Sequence, residues 1–101
     1  MMNQSPFLED VRRNIRLCGY SIRTEKSYLY WIKAFILFQH KTHPSLMGAT
    51  EVTQFLSFLA NQRHVAIKTQ KVALNALAFL YQKYLHQYLG DLGFSLATKQ
   101  Q

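Results

Sequence analysis

Arg23, Lys26, Tyr30 and Lys33 recur at i, i+3, i+7 and i+10. On an α-helix that spacing makes one stripe, with three cations and an aromatic set among them. Such a stripe can neutralise a polyanion and stack against it, or it can simply be solvated surface. A second basic set follows in a window without acids. Between Glu51 and Asp91 there is no carboxylate, yet Arg63, Lys68, Lys71 and Lys83 all fall there, with His64 and His86. The net charge of +7 and pI near 9.8 point the same way. A nucleic acid or an acidic membrane surface is the expected class of partner.

Other chemistries find little support. The five acids, Glu9, Asp10, Glu25, Glu51 and Asp91, are scattered among helix starts and a loop, where they favour the helix dipole more readily than they make a catalytic pair. His40 and His43 are three apart, but a proline follows His43 and no cysteine or acid lies near, so neither a metal nor another cofactor is expected. Cys18 is the one cysteine, which excludes an internal disulfide and fits a reducing compartment. Its place on an apolar helical face predicts a small core residue. No glycine-rich phosphate loop is present.

The elements that must carry these stripes are helices. The chain has 101 residues, 49% hydrophobic and 14% aromatic, enough for one domain with a real core. Ser5-Pro6 reads as an N-cap with proline at N1, and Phe7, Leu8, Val11, Ile15 and Cys18 form a stripe, so a first helix is expected over about 6–18 with Gly19 at C′. The second, capped by Ser21 or Thr24, runs to about residue 40 and buries Tyr28, Ile32, Phe35 and Ile36. Trp31, Phe38, Phe55, Phe58 and Phe79 also read as core, whereas Tyr30 sits in the basic stripe. Pro44 breaks the chain. A third helix over about 49–61 buries Val52, Phe55, Leu56 and Leu59.

A fourth helix over about 66–86 is apolar over most of its circumference and reads as the central one, with Lys68, Lys71, Asn75 and Gln82 exposed. Residues 89–94 suggest a turn and a short fifth helix, and the end a frayed tail. No alternating pattern suggests a strand. The expected class is all-α, a small bundle of four main helices. The N-terminus lacks a basic n-region, and the longest apolar run, Ala34 to Phe38, is far short of a membrane span. A soluble, cytoplasmic chain is expected.

Three segments carry a family resemblance. They are Ser21-Ile22-Arg23-Thr24 with Tyr28 and the Trp31/Ile32/Phe35/Phe38 run, then His43-Pro44-Ser45-Leu46-Met47-Gly48 with Val52 to Leu59, and Lys68-Thr69-Gln70 with Ala73-Leu74-Asn75. The pattern, over about residues 5–88, resembles the N-terminal core-binding (SAM-like) domain of tyrosine recombinases, or phage integrases, and looks closest to integron integrases. The resemblance implies a domain that clamps duplex DNA opposite a separate catalytic domain, through its second and fourth helices. On those helices it implies DNA contacts from Arg23, Lys26, Ser27 and Lys33, and from Lys68, Thr69, Gln70, Lys71 and Asn75, with Gln70 and Asn75 able to reach base edges. The first and last helices would meet other recombinase protomers. Ala66 stands where many relatives place a serine cap. No Arg/His/Arg/Tyr catalytic set maps onto residues 1–101, so the chain itself is not expected to cut DNA. It is expected to be a single domain, ordered over about 5–88 with a tail over 89–101, and monomeric when isolated. A helix-turn-helix-like regulator, a helical protein-interaction module and a membrane-surface helix are the alternative readings.

Overall fold

The computed structural model describes residues 6–89. Four α-helices follow in order: α1 Pro6–Leu17, α2 Ile22–Phe38, α3 Ala49–Asn61 and α4 Ile67–Ala78. A 3-10 turn, Pro44–Leu46, separates α2 from α3, and α4 continues into a π-helical segment, Phe79–Tyr84. No strand occurs among the described residues, so the chain is a small all-α bundle. The proposed Ser5 cap, the fifth helix and most of the tail lie outside the described residues.

Each helix boundary has a local cause. Gly19 adopts φ +83, and the N–H groups of Gly19 and Tyr20 donate to Arg16 O at 2.9 Å and Ile15 O at 3.4 Å. That pair of bonds is the Schellman ending of α1, and its left-handed residue favours glycine. The same turn corrects the expectation for Cys18. α1 stops at Leu17, so Cys18 leaves the apolar stripe and is exposed. Ser21 caps α2 by accepting from the Thr24 N–H at 3.2 Å. Glu51 accepts from the Gly48 N–H at 2.8 Å and so ties down the start of α3. α4 begins at Ile67, and Ala66 at its N-cap position offers no side-chain cap.

The core lies where α4 packs against α2 and α3, with α1 closing over α2. Val11, Ile15, Ile32, Phe35, Leu77 and Tyr81 are wholly buried there. α3 buries Val52, Phe55, Leu56 and Leu59, the stripe its spacing predicts. On α2 the buried positions are Glu25, Trp31, Ile32 and Phe35, while Tyr28 and Ile36 are only half-buried. The stripe is therefore rotated toward Trp31, whose ring meets Phe55 at 6.4 Å; Phe55 in turn lies 5.6 Å from Phe35.

The expected regular helix over 66–86 changes pitch at Phe79. Phe79, Leu80 and Tyr81 are three consecutive buried residues. A wider turn with i→i+5 bonding, such as Leu85 N–H to Leu80 O at 2.9 Å, accommodates them. The reward is a tie across the bundle. Tyr81 Oη donates to Pro44 O at 2.7 Å, satisfying a buried hydroxyl and the carbonyl of a buried proline.

Candidate nucleic-acid interface

Among the described residues the ion pairs are made by arginines of α1. Arg12 pairs with Glu9, Arg13 Nη2 with Asp10 at 3.3 Å, and Arg16 with Glu25. The last is bidentate, Nε to Oε1 at 2.7 Å and Nη2 to Oε2 at 3.2 Å, and joins α1 to α2. Hydrogen bonding from Arg16 holds the Glu25 carboxyl below its ordinary range. Asp10 is likewise held low, chiefly by the hydrogen bond that Tyr84 donates to it. Burial, reinforced by that bond, pushes Tyr84 up to about 12. The fourth described acid, Glu51, is committed to the start of α3.

The cations on the outer faces of α2 and α4 have no such partners. Arg23, Lys26, Lys33, Lys68 and Lys71 are exposed, and none forms an ion pair among the described residues. Uncompensated charges at a surface are what a phosphate backbone neutralises. α2 lies against α4, and a groove of about 290 Å3 runs between them, lined by Arg23, Thr24, Ser27, Tyr28, Val72 and Asn75. Tyr28 forms a wall of it, edge-on to Tyr20 at 5.7 Å, and its hydroxyl is pushed up by burial.

The structure divides the stripe that spacing draws as one. Arg23 and Ser27 open toward α4. Lys26, Tyr30 and Lys33 line a separate concavity of about 260 Å3 whose floor is Leu29 and Leu8, the latter from α1. Tyr30 is 57% exposed. On α4, Lys68, Lys71 and Asn75 share the outer face, and Thr69 is half-buried on its flank.

Gln70 must be withdrawn from the base-reading set. It is 5% exposed, and its Nε2 donates to Val65 O at 2.9 Å, tying the α3–α4 loop to α4. The spacing Gln70, Ala73, Leu77 (i, i+3, i+7) carries the signal, because both of its partners are core. Thr24 and Val72 are groove residues that sequence reasoning passed over. Val72 is legible as i+4 from Lys68 and i−3 from Asn75, which places it on the outer face. Among the described residues no three metal-ligating side chains converge, and no helix is long and apolar enough to cross a membrane.

Residues 7–91 match the family model described as phage integrase, N-terminal SAM-like domain. Two proteins named "Integrase/recombinase", from Escherichia coli and Pseudomonas aeruginosa, are each 47% identical to this chain over 78 residues. The match takes in 77% of this chain but 23% of each relative, so the chain spans about a quarter of their length. A four-helix bundle of this order, with a family match across nearly all of its described residues, belongs to the phage integrase N-terminal SAM-like domain family.

Proposed function

We propose that this chain is the core-binding domain of a site-specific tyrosine recombinase of the integron-integrase type, holding duplex DNA at a recombination site without cutting it. One observation carries the reading: five unpaired cations lie exposed on the outer faces of α2 and α4, while every described acid is engaged elsewhere. Arg23, Lys26, Lys33, Lys68 and Lys71 bind phosphates. Tyr30, Ser27 and Thr69 add contacts at the groove walls, and Asn75 reaches into the major groove. The strand-cutting residues belong to the part of such recombinases that this match does not cover. Half a clamp binds weakly and with a steep salt dependence.

Protein contacts complement this role. Leu17 at the C-terminal end of α1 is 84% exposed, and Tyr88 near the C-terminal end of the described residues is 91% exposed. These ends meet neighbouring protomers once several copies sit on DNA, and the free domain is monomeric.

The test is the salt dependence of duplex binding. Lys68→Ala with Lys71→Ala lowers affinity and flattens the slope of log K against log salt by about one to two units. Thermal stability stays within about 0.5 kcal/mol, because neither lysine is paired. An unchanged slope removes α4 from the binding face.

A further inference from the structure

We infer that the α2–α4 groove reads an A·T base pair in the major groove, with Asn75 on the adenine edge and Val72 against the thymine methyl. This rests on the duplex-binding reading above.

The inference starts from a residue the fold does not explain. Asn75 lies in the interior of α4, where asparagine is a poor helix former. It is exposed, and its side-chain amide has no hydrogen-bond partner among the described residues. It caps nothing, since α4 continues through Ala78. One turn earlier on the same face stands Val72, a β-branched residue that also gains nothing from helical geometry. Val72 is half-buried and lines the same groove, so an apolar surface lies beside an unpaired amide.

That pairing of chemistries matches one base-pair edge. Adenine presents an acceptor at N7 and a donor at N6, which one carboxamide satisfies with its own donor and acceptor. Thymine places a methyl group on the same edge of the pair. Side chains at i and i+3 have Cβ atoms about 5–6 Å apart, close enough to meet one base pair together. Guanine presents two acceptors, which would leave the Asn75 carbonyl unmatched, and cytosine has no methyl for Val72. Lys68 and Lys71 on the same helix and Arg23 across the groove set the register through phosphates.

The experiment is selection from a randomised duplex pool with the chain itself, followed by affinity measurements on the enriched site. One A·T pair is expected to be enriched. Replacing it with G·C weakens binding about tenfold or more. Replacing its thymine with uracil, which removes one methyl, weakens binding about three- to fourfold. Asn75→Ala, which keeps a good helix former at the site, erases the discrimination between A·T and G·C. A pool without an A·T preference, or a preference that survives in Asn75→Ala, overturns the inference and leaves duplex binding standing. No binding to any duplex at low salt overturns both.

Discussion

α2 has two faces, and residues two positions apart on it lead opposite lives. Glu25 faces inward, 5% exposed, with both carboxylate oxygens held by Arg16. Arg23 faces outward and has no carboxylate partner among the described residues. The inner face is satisfied within the molecule, so its changes should register as stability. The outer face is incomplete by itself, so its changes should register as binding. With twelve Lys and Arg against five acids, the pairs made along α1 leave cations elsewhere whose field can attract a polyanion.

That contrast can be broken at its strong end first. Phe35 is wholly buried and meets the rings of Phe55 and Tyr81 at 5.6 and 6.5 Å. Phe35→Ala should cost about 3–5 kcal/mol in chemical denaturation. DNA binding should fall only in step with the folded fraction. A Phe35→Ala protein that stays fully folded but loses DNA affinity would show that the two faces are not separable.

Gln70→Ala is a smaller and sharper test. It removes the amide that closes on Val65 O, and should cost about 1 kcal/mol in thermal or denaturant unfolding. Base preference in the selection experiment should not change. A changed preference with unchanged stability would return Gln70 to the DNA face.

The acid limb of the stability curve is the gentlest probe. Glu25 and Asp10 are both held below their ordinary range in the folded state. Their contribution is therefore present above the unfolded values near pH 4 and is lost as pH falls through the folded ones. Glu25→Gln should lower stability at neutral pH and make the decline below about pH 4 shallower. A decline as steep as that of the unmodified protein would remove the Arg16 pair from the stabilising set.

Legibility followed the strength of the local signal. α3 could be read in full, because Val52, Phe55, Leu56 and Leu59 recur at helical spacing between a well-marked start and a polar end. The Gly19 ending of α1 was equally plain. Cys18 departs from the periodicity of α1 because the turn at Gly19 ends the helix at Leu17, one residue before it. Gln70 stands among the DNA contacts only through the family resemblance, whereas its register with Ala73 and Leu77 places it in the core. The π-helical segment had a visible cause in Phe79-Leu80-Tyr81, three large residues in a row, but its benefit lies 37 residues away at Pro44.

The sequence by itself determined four helices, the α3 stripe that fills its side of the core, and an excess of cations on α2 and α4. All of these depend on spacing within a helix, which the chain carries locally. The tertiary structure decided which charges are spent and which remain. Glu25 and Arg16 are nine residues apart, and Asp10 and Tyr84 are 74 apart. Those pairings, like the partition of Arg23 toward α4 and Lys26 toward α1, exist only once the helices pack. A helix specifies its own faces, but what each face meets depends on its neighbours.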